Sequence, residues 1–244
     1  RIIVVSKQIE CYAESGRFRE IPPLANYLAT WEHQLQTQGL TDEALWVRQQ
    51  AIALGLRCGL MAYNHQQMNV AQTWVTQVIP RLERLNRSNH EALQTSHLAA
   101  AYWLQGAIQM QAGQTDAAVR SFDVARQHWP AALELQQDSN GLEWGERLAI
   151  MAVAYWNQGD TRLAASLNQD AIVLIQNAID ASLASPARIE TPLANLALMT
   201  EETGAIVGLE TADLSLTNTV VLIHSEASPT EGAAVTDRKS TRLN

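Results

Sequence analysis

Few side chains in this sequence stand at spacings that do chemistry. His90 and His97 lie seven residues apart, two helical turns, so one helix face carries both. A zinc site would need a cysteine, carboxylate or further histidine at ligand spacing beside them, and none completes the set. Glu143 with Glu146, and Glu201 with Glu202, are carboxylate pairs of the kind acid–base catalysis uses, but helices of this composition carry such pairs on solvated faces. Cys11 and Cys58 make no metal or redox spacing and could form at most one disulfide. Both fall at core-facing helical positions and are expected as buried thiols. No phosphate loop, nucleophile elbow or Gly-rich dinucleotide motif occurs. The sequence predicts no catalytic residue, no metal and no cofactor.

The bulk composition narrows the partners. With 47% hydrophobic residues in 244, the chain can bury a sizeable core. A formal charge of -8 and the lack of a clustered Lys/Arg surface argue against nucleic acid, because phosphate binding needs such a cluster. An acidic, Gln-rich surface suits a protein or an extended peptide. The longest apolar runs, such as the one from Leu148 to Trp156, fall short of the about 20 residues a bilayer span needs. The last eight residues, 237–244, back-translate to the start of a common sequencing-adapter oligonucleotide and are expected to be an artefact. Without them Lys7 is the one lysine. The chain is read as a soluble fragment truncated at both ends, its compartment, cytoplasmic or periplasmic, left open.

The elements that position these residues are helices in a repeating register. Small residues recur in step at Gly59, Gly106 and Ala152 and again at Ala71, Ala118 and Ala164, with turns at Gln66, Gly113 and Gly159. Thr41 before Asp42 and Glu43, and Ser88 with Glu91, read as helix starts, as do Asp116, Asp160 and Thr191 with Pro192. Gly113, Gly159 and Gly204 fall just past helical runs, where a left-handed residue ends a helix. Helix pairs are therefore expected at 2–15 with 21–38, 42–64 with 69–86, 89–112 with 115–136, 142–158 with 160–184, and 192–203 with 205–223. Residues 225–236 are rich in small and polar side chains and read as a linker or a frayed edge. The repeat domain thus occupies 1–224.

Tyr102, Gly106, Gly113, Ala118, Phe122, Ala125 and Pro130 stand at the intervals of the tetratricopeptide repeat, which this segment resembles closely. Other copies are weaker: one keeps Ala152, Tyr155, Gly159, Ala164 and Ala171 but has Asn168 at an aromatic position, another keeps Gly59, Ala71, Val75 and Val78. The first hairpin keeps Tyr12, Gly16, Ile21, Ala25 and Leu28, and the last keeps Ala197 and Gly204. Turn-to-turn spacings of 45 to 50 residues exceed the family's 34, so the chain looks like a long-helix variant. The resemblance implies an all-α fold, a right-handed α-solenoid of about five antiparallel hairpins. Its packing residues are then Gly59, Ala71, Gly106, Ala118, Phe122, Ala125, Ala152, Tyr155, Ala164 and Ala171.

In that family the first helices of successive pairs line a concave groove. The resemblance implies that Tyr63 and Asn64, Met110 and Gln111, and Trp156 and Asn157 face it, with Ala13, Glu14, Glu201 and Glu202 at equivalent positions. Leu56, Trp103 and Ala149, a turn or more earlier, extend the face. Aromatic or Met side chains beside carboxamides suit an extended peptide, whose backbone needs both donors and acceptors. The alternative is that Tyr63, Met110 and Trp156 pack on the neighbouring repeat and the amides are solvated. No basic residue occupies these positions, so the family's clamp for a C-terminal carboxylate is not expected. The expected function is a non-enzymatic scaffold for a protein or peptide. The alternative is a regulatory or sensor segment of a larger enzyme or transcription regulator, binding an intramolecular partner or small effector.

Overall fold

The computed structural model describes residues 2–88, 92–134 and 141–203. Among them the fold is all-α, with nine α-helices and no strand: α1 (Ile2–Glu14), α2 (Ile21–Thr37), α3 (Thr41–Asn64), α4 (Met68–Ser88), α5 (Ala92–Gln111), α6 (Thr115–Glu134), α7 (Gly141–Gln158), α8 (Thr161–Asp180) and α9 (Glu190–Thr203). Short 3-10 turns at Phe18–Glu20 and Pro186–Ile189 lead into α2 and α9. The expected helix at 205–223, the turn at Gly204, the segments 225–236 and 237–244, and His90 with Glu91 lie outside the described residues.

One hydrogen-bonding pattern makes every tight turn. At Gly16, Gln66, Gly113 and Gly159 the backbone turns left-handed, at φ of 72°, 58°, 72° and 92°. In each, that residue's N–H bonds the carbonyl three residues back and the next N–H reaches the carbonyl five back, as Gly113 to Met110 at 3.0 Å and Gln114 to Gln109 at 2.9 Å. The pair satisfies carbonyls that a helix end leaves open. Gln66 adopts the same turn without glycine's freedom, and its N–H reaches Tyr63 at 2.9 Å.

Each odd helix packs on the next even one, and consecutive hairpins stack. The first helices also touch one another, α1 on α3, α3 on α5, α5 on α7 and α7 on α9, more than the second helices do. The odd-numbered helices thus form a layer of successive neighbours, a packing consistent with a helical repeat. One hydrophobic core runs from Ile2 to Met199, and a smaller cluster of Ile172, Ile175 and Ile189 seats α9. Gly59, Ala71, Gly106, Ala118, Phe122, Ala125, Ala152, Tyr155, Ala164 and Ala171 are all buried. A Cβ added at Gly59 would lie 3.0 Å from the Leu104 side chain and 3.3 Å from that of Trp74, a tight contact. Asn168 is fully buried, and its amide donates to the Pro192 carbonyl at 2.5 Å. The position where an aromatic was expected thus ties α8 to the backbone of α9.

Three local expectations are corrected. Thr41 does not cap α3: Leu40 is the cap, without a side-chain bond, because it is still bonded back to Leu35 at 3.0 Å by the turn ending α2. Thr191 and Pro192 lie inside the first turn of α9, which starts at Glu190, and Ser185 caps the preceding 3-10 turn. Asp160 does cap α8, accepting from the Leu163 N–H at 3.1 Å. Cys11 is exposed, not buried, whereas Cys58 is buried. The buried stripe of α1 is Ile2, Ile9 and Ala13, and among the described residues α1 is covered mainly on its α3 side, which leaves Cys11 uncovered. Burial pushes the Cys58 thiol up to about 12. Iodoacetamide at about pH 8 should therefore alkylate Cys11 readily and Cys58 only after unfolding, as mass spectrometry of tryptic peptides would report.

Candidate partner-binding groove

The face of the stack formed by α1, α3, α5 and α7 carries a groove built from helical stripes. On α3, Arg57, Leu60, Met61 and Asn64 fall at i, i+3, i+4 and i+7, and on α7 Glu143, Glu146, Arg147 and Ile150 repeat that spacing. Between them α5 presents Ser96, Ala100 and Trp103, while Glu10 of α1 closes one side. Two cavities open here, one of about 320 Å³ and one of about 590 Å³. They share Arg57, Leu60, Glu143 and Arg147 as a common saddle, so the groove passes over those four residues.

An aromatic column supports the saddle. The Arg147 guanidinium lies 5.2 Å from the Trp103 ring and 4.4 Å from the Trp144 ring. Trp103 meets Tyr63 edge to face at 5.8 Å, and Trp144 meets Trp129 at 4.3 Å. The Trp103 indole N–H also donates to the Arg147 carbonyl at 3.1 Å, locking α5 to α7. Arg147 is only 5% exposed, and burial pulls its guanidinium below the ordinary value while Glu143, its ion-pair partner one turn away, opposes the shift. Arg57 reaches across to α1, donating to Glu10 and Glu14 at 3.0 Å each. Lys7 bonds Glu10 as well and is the main reason its carboxyl titrates low. Glu146 is engaged by Arg188 at 3.0 Å. Burial lowers His97, which lines the smaller cavity as a neutral imidazole near neutrality.

The expected groove residues divide. Tyr63, Asn64 and Trp103 line the larger cavity together, and Leu56 lines the smaller. Leu56 and Trp103 are floor, at 4% and 5% exposure, whereas Asn64 is open to solvent. Met110 and Trp156 are half-buried against the core, and Gln111 and Asn157 are exposed at the helix ends, away from both cavities. Gln111 still touches the site, through a hydrogen bond with the Tyr63 hydroxyl, whose titration burial pushes up. Glu143 and Glu146 each hold an arginine.

The basic residues are the main omission of sequence reasoning. Both enter the groove earlier on their helices than the positions beside the turn. Stepping back seven residues from Asn64 reaches Arg57, and seven from Asn157 then three more reaches Arg147, so the periodicity itself carried the signal. Among the described residues no three His, Cys, Asp or Glu side chains gather as a metal site, and no helix is long and apolar enough to cross a membrane. Compared with known proteins, the chain matches no family model and no curated protein.

Proposed function

We propose that this chain is a non-enzymatic scaffold, a right-handed tetratricopeptide-like solenoid that holds a protein or an extended peptide on its inner face. The observation that carries this reading is the saddle, where two cavities continue into each other over Arg57 and Arg147. Two adjoining cavities with a shared rim suit a chain that passes through. Its walls offer aromatic area from Tyr63 and Trp103 and a free carboxamide at Asn64, the mix that anchors peptides. Stacked hairpins keep the walls rigid, so binding costs the receptor little entropy.

Panning a library of random linear peptides against the chain tests it. Selected binders should lose about ten-fold or more in affinity to Tyr63→Ala, and less to Asn64→Ala, with helical circular dichroism preserved. Binders indifferent to both substitutions would move the site elsewhere. The sensor reading has one observation of its own, a cavity of about 730 Å³ beside the Phe18–Glu20 turn, between α2 and α4, lined by Trp74, Asn26, Asn69 and Gln77. Such a volume fits a small effector.

A further inference from the structure

Arg147 is a cation with donors to spare. A guanidinium carries five N–H groups. Among the described residues its one hydrogen-bond partner is Glu143, reached through Nη2. The other groove charges are engaged: Arg57 by two carboxylates and Glu146 by Arg188. Arg147 is also the best positioned, since Trp103 and Trp144 flank the guanidinium and the backbone carbonyl is tied to Trp103. A planar fork held this way is suited to two-point recognition of a carboxylate.

Its partner is the replaceable half of the pair. The Glu143 side chain is 52% exposed while that of Arg147 is 6% exposed. The carboxylate can swing into solvent at little cost, but the guanidinium cannot follow without leaving its indoles. Any acid arriving along the groove therefore meets a desolvated cation guarded by a loosely held competitor. A basic group arriving there would find Glu10, Glu14 and Glu146 already neutralised by arginines.

We propose that the groove reads an internal acidic side chain of an extended partner, and that this carboxylate displaces Glu143 from Arg147. The inference rests on the peptide reading above. That the carboxylate belongs to a side chain, not a chain end, follows from Arg147 lining both cavities: a backbone crossing the saddle continues to either side. Leu60 in the saddle and Ile150 beside it favour apolar neighbours for the acid.

The test uses short capped peptides followed through the Trp103 indole N–H resonance, which sits on the Arg147 carbonyl. The probes are Ac-Leu-Glu-Leu-NH2, its Gln and Lys counterparts, and the Gln peptide with a free C-terminal carboxylate. The Glu peptide should shift the resonance saturably, and the capped Gln and Lys peptides should not. Glu143→Gln removes the competitor and should tighten the Glu peptide about five-fold, whereas Arg147→Lys, keeping charge but losing the fork, should weaken it by a similar factor. Should Arg147→Lys fail to fold, Glu143→Gln alone still decides, since that side chain is half exposed. Equal binding of Glu and Gln peptides, or weaker binding to Glu143→Gln, overturns the proposal. A free C-terminus that binds as well as the internal Glu overturns it in favour of an end-reading groove. Library binders that lack any acid but depend on Tyr63 overturn it while leaving the peptide reading intact. A library that yields no binders takes both down.

Discussion

Gly106→Ala is expected to destabilise the fold by about 2 kcal/mol, although the same exchange in an open helix would stabilise it by about 1 kcal/mol. The reason is contact between the helices of one hairpin. A Cβ on Gly106 would lie 2.5 Å from Cε1, 2.6 Å from Cδ1 and 2.9 Å from Cζ of Phe122, a ring with no exposed surface. Overpacking of a close-packed core costs about 1–3 kcal/mol; three ring carbons within one contact put the clash near the top of that range, and the helix gain of about 1 kcal/mol offsets part of it. Gly59→Ala is the control, because its nearest neighbour is the flexible end of Leu104 at 3.0 Å, and it should stay within about 1 kcal/mol of wild type. Adding Phe122→Leu to Gly106→Ala should recover part of the loss, since the smaller side chain vacates the clash. Urea titrations of the four proteins check the order, and a Gly106→Ala protein as stable as wild type would mean that α5 and α6 do not nest as described.

The hairpins were legible because their signals are local. Gly16, Gly113 and Gly159 mark their turns by residue type, and Gln66, which has no such mark, was found because it falls in register with them. What depends on neighbours was not legible. Cys11 falls at a helical position that reads as core-facing, and its exposure follows from α1 being the end helix of the described stack. Gly145 was passed over, yet a Cβ there would meet Ile175 Cγ1 at 2.7 Å and the Ala171 carbonyl at 3.0 Å. It stands seven residues before Ala152, as buried Ala99 does before Gly106 and Ile52 before Gly59. The contact ladder thus runs two turns further than a 34-residue repeat allows, which is where the longer period goes. In the groove, Tyr63, Asn64 and Trp103 came from repeat position alone. The place of Arg147 needs Trp103 from one helix and Trp144 from another, a juxtaposition that no single helix pattern encodes.

Trp144→Ala should be the most damaging single substitution of those considered, at about 3–5 kcal/mol, the usual cost of truncating a buried aromatic. Trp144 is 1% exposed and joins two hairpins, meeting Trp129 of α6 edge to face at 4.3 Å and covering the Arg147 guanidinium from α7. The contact between α6 and α7 is sparse compared with those inside the flanking hairpins, so this ring carries much of the coupling across that joint. In a stacked array stability is a sum of unit and interface terms, and weakening one interface lets the two sides unfold separately. Thermal melts of Trp144→Ala should therefore split, with α7 to α9 lost before α1 to α6, whereas Trp144→Phe keeps a ring on both neighbours and should retain one transition at a smaller loss. Hydrogen exchange would locate the early step, and uniform loss of protection along the chain would show that coupling does not run through this indole. Because the saddle needs Arg57 from α3 and Arg147 from α7, the same substitution should abolish groove binding at temperatures where α1 to α6 are still folded.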